Sequence, residues 1–308
     1  MQHDYTGLFA AVFTPMHKDG SLNLAQVQPI VDYLVRIQIS GLYVCGSTGE
    51  GPSLSSEERR AVATAYVEAV RLGRRKLPVI VQVGHNSLAE ARALASHAET
   101  IGADAISAVA PSYFKTSTIR ILIDCLNEIA SAAPTMAFFY YHIPRMTGMN
   151  FDMLEFLRQS SKRMPNLVGI KYSHSSVHEY QACLQFDNRH FTILFGVDEM
   201  LLSALAVACT GAVGSTFNFA GPLYGRIIKA FERGDLSEAR KWQGLSVAMI
   251  RLCYRYRGQP AFKAAMKLVG LDCGPSRLPL ETLKPEELKA MEQDLKKIGF
   301  FDWALPSD

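Results

Sequence analysis

The apolar run Leu167-Val168-Gly169-Ile170 ends in Lys171-Tyr172-Ser173. A lysine at the end of a buried run is costly unless it is paired or neutralised, and desolvation lowers its pKa. The neutral amine is the form that attacks a ketone to give a Schiff base. The competing reading is a lysine whose stem is buried while its head reaches solvent. A second run ends Phe138-Phe139-Tyr140-Tyr141-His142-Ile143-Pro144. A tyrosine hydroxyl there could relay a proton, or the ring could fill a core. His142 offers an acid or a base, although such a histidine also serves as a satisfied structural one.

Gly46-Ser47-Thr48-Gly49-Glu50-Gly51 places two hydroxyls among glycines. Such a loop can offer O–H and backbone N–H donors to a carboxylate, or it can be a plain tight turn. It lacks the phosphate-loop spacing, and Cys45 stands where a nucleophile elbow needs its first glycine. Phe195-Gly196-Val197-Asp198-Glu199 brings two carboxylates that suit a polyhydroxyl ligand or the charging of a helix start. Gly214-Ser215-Thr216 again sets hydroxyls beside glycine. His174 and His178 have i, i+4 spacing but no glutamate of the H-E-x-x-H kind and no third ligand nearby, so no metal is expected. Without a metal as electron sink, carbonyl chemistry would need an iminium.

All these groups sit where a strand gives way to a loop. Eight short, nearly continuous apolar runs recur about 30 residues apart: 8–13, 42–45, 79–83, 105–109, 136–141, 167–170, 191–195 and 211–215. Continuity rather than alternation marks strands covered on both faces. Helical stretches lie between them. Ser87 and Glu90 have capping-box spacing, followed by Leu88, Ala91, Leu94, Ala95, Ala98 and Ile101 on one face, with Gly102 at the stop. Ser55 and Glu58 open another helix, which leaves 46–51 as loop.

Beyond residue 215 only helices are expected: 222–233, one opened by Asp235 and Glu238, 259–268 and 285–298. The pattern predicts an α/β chain folded as a (β/α)8 TIM barrel with a C-terminal helical extension. The barrel is expected over 1–220, and 221–308 packs on it as part of one structural unit. A doubly wound open sheet is the alternative, weakened by the missing dinucleotide fingerprint. In a TIM barrel the strand C-termini carry the site, which is where the chemistry-bearing residues fall.

Composition agrees with a small-molecule enzyme. A chain of 308 residues buries about three-quarters of its unfolded surface and needs no disulfide or metal to build a core. Apolar residues at 48% against 20% charged exclude disorder. With a net charge of +3 and no like-charge block, neither a nucleic-acid nor a membrane partner is expected. The six cysteines show no C-x-x-C spacing and read as reduced thiols. The opening MQHDYTGLFAAVFTP, with acidic Asp4 and a short apolar run, does not read as a signal peptide, and no run reaches membrane-span length. A cytoplasmic location is expected.

GSTGE at 46–50, Y-x-I-P at 141–144, G-I-K at 169–171 and V-G-S-T at 213–216 stand in order over almost the whole chain. Together they resemble the dihydrodipicolinate synthase / N-acetylneuraminate lyase superfamily, TIM-barrel class I aldolases that work on pyruvate or pyruvate-derived ketoacids. FYYHIP, LFGVDEMLLSAL and GPSRLPL look most like the animal-type lyase branch. The synthase branch carries an arginine five residues after the motif tyrosine. Met146 stands there, with Arg145 one residue early and, on an extended segment, pointing the other way.

The resemblance implies a sialic acid-cleaving lyase of carbohydrate catabolism. It implies Lys171 as Schiff-base residue and Tyr141 as proton relay. It also implies Ser47 and Thr48 on the substrate carboxylate, with Ser173, Gly196, Asp198, Glu199 and Ser215 on the sugar tail. It further implies no cofactor and a homotetramer in which Tyr113 reaches a neighbouring subunit's site. The rival readings are another pyruvate aldolase, namely a dihydrodipicolinate synthase or a keto-deoxy sugar-acid aldolase, and a non-catalytic binding paralogue.

Overall fold

Eight parallel strands hydrogen-bond in sequence order and close on themselves, β8 pairing with β1, in the computed structural model of the chain. They are β1 (Gly7–Ala11), β2 (Gly41–Val44), β3 (Val79–Gln82), β4 (Ala105–Ala108), β5 (Ala137–His142), β6 (Leu167–Tyr172), β7 (Thr192–Phe195) and β8 (Gly211–Gly214). The structure describes residues 5–73 and 75–305, so Asp4 of the N-terminal reading lies outside them. Every residue of β2, β3, β4 and β8 is buried, which is why these runs are apolar throughout.

Alternate side chains enter the barrel. Phe9 and Ala11 of β1, Tyr43 of β2, Phe139 and Tyr141 of β5 and Val213 of β8 fill it with their neighbours. The intervening side chains face the helices and join the larger outer core. This period of two puts Tyr141 inside and His142 outside. It also sets Tyr141 directly beside Lys171 in the β5–β6 register.

Helix starts follow the sequence signals with two refinements. Ser55 and Glu58 form the full reciprocal box. Ser87 and Asp235 make only the first half of theirs, accepting from the Glu90 and Glu238 N–H groups. The return bond is pre-empted, because the Ser87 N–H goes to His85 Nδ1 and the Asp235 N–H to the Ala230 carbonyl. The helix expected to open at Pro222 spans Phe217–Glu232 instead, with Pro222 inside it and Ala220 pulled out of helical geometry (φ −133°, ψ 25°). A division at residue 220 therefore falls within the helix that completes the eighth βα unit. Beyond it lie Leu236–Arg255, Gln259–Leu268, Pro285–Lys297 and Phe300–Trp303, the C-terminal helices. All six cysteines are free thiols, five of them buried and Cys125 partly so. No helix among the described residues is long and apolar enough to cross a membrane.

Candidate active site

A cavity of about 460 Å³ opens at the C-terminal ends of the strands. It is lined by Ser47 and Thr48 after β2, Tyr141 of β5, Lys171 and Ser173 at β6, Gly196, Asp198 and Glu199 after β7, and Ser215 after β8. The residues that the resemblance assigned to catalysis or substrate binding are thus brought together, except Tyr113. That residue is 80% exposed, with its ring edge-on to Phe114, and lies away from the cavity.

Lys171 is 4% exposed. Its Nζ lies 3.6 Å from the centroid of the Tyr43 ring and 4.1 Å from that of Tyr141, held by aromatic faces rather than by a directly bonded carboxylate. Burial lowers its pKa to about 7, with the Asp198 carboxylate pulling the other way. An appreciable fraction is therefore a neutral amine near pH 7, and the snorkelling alternative does not apply. Tyr141 is also buried, and burial raises its pKa above the ordinary phenol range, so its hydroxyl keeps its proton. That hydroxyl lies 3.4 Å from Ser47 Oγ. Gly46 keeps this corner open, since a Cβ there would sit 2.7 Å from the Tyr43 ring.

The loop after β2 is locked from both sides. Cys45 and Glu50 flank it in left-handed backbone (φ 59° and 56°), a conformation that costs non-glycine residues energy and needs support. Thr48 Oγ1 lies 2.6 Å from Ser215 Oγ, tying the loop to β8. Support also comes from the C-terminal helices. The Gln259 amide donates to the carbonyls of Ser47 (3.2 Å) and Thr48 (2.8 Å). Lys263 Nζ donates to Glu50 Oε1 at 2.7 Å, both side chains being nearly fully buried, and the Arg277 N–H donates to Glu50 Oε2 at 2.8 Å. The Arg277 guanidinium then grips Glu58 with two bonds of 2.5 and 2.7 Å.

On the far wall, Asp198 is buried and accepts at Oδ2 from the Thr216 N–H (2.8 Å) and hydroxyl (2.6 Å). Burial pushes its carboxyl up to about 6 against these bonds. Thr216 continues to the Tyr224 hydroxyl, and that to Ser246 Oγ. Asp198 thus anchors the β7–β8 wall, and both it and the half-buried Glu199 line the cavity. Gly196 permits this wall: a Cβ there would fall 2.1 Å from Ser173 Oγ.

Three findings depart from the sequence reading. Pro144–Thr147 is a helical turn closed by Gly148 in left-handed backbone, not an extended segment. Arg145 and Met146 therefore both line the cavity, and the expectation that Arg145 points away is overturned. Arg145 lies over the Tyr254 ring at 5.5 Å. His142 faces away from the cavity, fully buried, with burial and then His174 lowering its pKa to about 3. It is no acid–base group for the cavity. Finally, Tyr43 beneath the amine and Ile250, Tyr254, Gln259 and Phe262 from the C-terminal helices line or support the site without having been expected there. No local motif marks them, because each meets the site only through the fold.

The chain matches the model of the Dihydrodipicolinate synthetase family over residues 4–298. It is 45% identical over 277 residues to N-acetylneuraminate lyase A of Xenopus laevis, covering 89% of this chain and 90% of that one. With the N-acetylneuraminate lyase of Homo sapiens it shares 41% over 302 residues, covering 96% and 93%. Among solved structures, the N-acetylneuraminate lyase of Proteus mirabilis superposes with a TM-score of 0.92 at 38% identity, covering 96% of this chain and 99% of that one. The barrel, the site at its strand ends and these relatives converge: the chain belongs to the dihydrodipicolinate synthetase family, on its N-acetylneuraminate lyase branch.

Proposed function

We propose that this chain is an N-acetylneuraminate lyase, cleaving N-acetylneuraminate reversibly to pyruvate and N-acetylmannosamine through a Schiff base. The observation that carries the reading is the buried Lys171 amine, partly neutral near pH 7, beside the Tyr141 hydroxyl in a cavity lined by hydroxyls and carboxylates. Neutral Lys171 attacks the C2 ketone of the open-chain sugar, and loss of water leaves an iminium. The C3–C4 electron pair then flows into the iminium to form an enamine. The Tyr141 hydroxyl relays the C4 hydroxyl proton, accepting it as its own proton passes to the substrate carboxylate, and N-acetylmannosamine leaves. Protonation at C3 and hydrolysis release pyruvate and restore the amine.

Ser47 and Thr48 hold the substrate carboxylate. Ser173, Gly196, Asp198, Glu199 and Ser215 receive the polyol and N-acetyl portion. The iminium is the electron sink, so the reaction needs no cofactor. The retained lysine and tyrosine weigh against a binding paralogue, and the Asp198-Glu199 pair in the cavity weighs against the synthase branch.

The working assembly in this reading is a homotetramer, to which the exposed Tyr113–Phe114 pair offers an apolar contact. The compartment is the cytoplasm, in keeping with six free thiols. Coupled detection of pyruvate from N-acetylneuraminate tests the function. Equimolar pyruvate and N-acetylmannosamine are expected. No sugar turnover, with pyruvate exchange retained, would assign the chain to a different pyruvate aldolase.

A further inference from the structure

A second cavity, of about 380 Å³, lies outside the barrel against the helices Met153–Ser160 and Val177–Gln185. His174 lines both cavities and stands between them. Next to it is His142, 0% exposed, with neither ring nitrogen bonded to any partner among the described residues. Buried polar groups are seldom left so. Glu179, in the first turn of Val177–Gln185, completes the cluster. One ligand atom from each of His142, His174 and Glu179 falls within 4.8 Å of the other two.

We propose that His142, His174 and Glu179 form a binding site for a divalent transition metal, with Zn²⁺ the preferred ion. Two imidazoles and a carboxylate are a zinc donor set that leaves a fourth position for water. Mg²⁺ and Ca²⁺ want oxygen ligands throughout and are poorly served here.

Zinc bonds of about 2.0–2.2 Å space tetrahedral ligand atoms roughly 3.5 Å apart, so the three must draw together by about 1 Å. The two that can move are the solvent-facing ones: the side chains of His174 and Glu179 are 29% and 17% exposed, and their Nδ1 and Oε2 are already 3.8 Å apart. Outer support is in place. Glu179 Oε1 accepts from the Met153 N–H at 2.9 Å, and the Tyr172 hydroxyl donates to Oε2. His178 is exposed, shares a hydrogen bond with Ser176 and takes no part. Spacing along the chain does not mark this set, because the i+4 histidine of His174 is not a ligand and His142 arrives from a different strand. This site borders the reaction chamber through His174, carries no step of the lyase reaction and does not depend on the lyase reading.

The test is Zn²⁺ titration of chelator-stripped protein against a chromophoric competitor, with the visible absorption of bound Co²⁺ as a second readout. One tight Zn²⁺ per chain is expected, weakened at least about tenfold in His174→Ala and in Glu179→Gln and unchanged in His178→Ala. His142→Asn should also weaken binding; should it not fold, the two partly exposed variants decide. Absence of tight binding in the wild type, or equal binding in wild type, His174→Ala and Glu179→Gln, overturns the proposal.

Discussion

Lys263→Met should cost this protein much of its stability and loosen its grip on the substrate carboxylate. Lys263 Nζ lies 2.7 Å from Glu50 Oε1, with the two side chains only 2% and 1% exposed. Removing the ammonium leaves the Glu50 carboxylate buried with the Arg277 N–H as its remaining support. Breaking a buried pair from one side costs roughly 3–5 kcal/mol. In a chain of 308 residues, at roughly 1.5 °C per kcal/mol, that lowers Tm by roughly 5–8 °C. The loss should be local in its functional effect, because Glu50 closes the segment that carries Ser47 and Thr48. KM for pyruvate in the synthesis direction should therefore rise more than kcat falls.

The double variant Glu50→Gln/Lys263→Met removes both charges while keeping an acceptor for the Arg277 N–H, and should recover most of the lost Tm. Calorimetry at one fixed scan rate, with initial rates on the same preparations, reads both effects. A single variant within about 1 °C of wild type would mean the pair is worth no more than a solvent-exposed one. That result, or a double variant less stable than the single, refutes the clamp.

Three further expectations concern the chemistry. The amine of Lys171 must be neutral to attack, and its pKa is lowered to about 7. So kcat/KM should fall about tenfold per unit below that pH. Asp198→Asn removes the charge that holds this pKa up, so the acid limb should move to lower pH; a limb that stays in place disproves the coupling. Tyr141→Phe should lower kcat by roughly 10²–10⁴-fold with little change in KM, and a pure KM effect counts against proton relay. Gly196→Ala, whose new methyl would fall 2.1 Å from Ser173 Oγ, should raise KM for the sugar while leaving pyruvate labelling of Lys171 intact. Unchanged KM would take Ser173 out of the sugar-tail contact.

Much of this molecule was legible from its residues, for reasons that differ by element. Strands covered on both faces need near-continuous apolar runs, so all eight could be placed, and with them the barrel mouth. Lys171 stood out because the end of a buried strand is an expensive place for an amine, whereas Tyr141 read equally as core filling and was singled out only by the family resemblance. Arg145 and Met146 were misjudged because alternation holds only in extended chain. Pro144 at the first helical position and Gly148 after the last were the available signal of a turn of helix. Gln259, Lys263 and Arg277 could not be tied to the loop at 46–51, since their bonds span more than 200 residues. Tyr43 was hidden for a related reason. Within β2 it is one more core aromatic, and only barrel closure brings its ring to the amine of Lys171 on β6.

The central claim is that Lys171 forms the Schiff base with the sugar. Borohydride reduction with N-acetylneuraminate as the sole carbonyl compound, followed by peptide mapping, tests it most directly. The account predicts a reduced adduct on the peptide containing Lys171 and none in Lys171→Ala. An adduct on another lysine, or no adduct on wild-type protein with either the sugar or pyruvate, would contradict it.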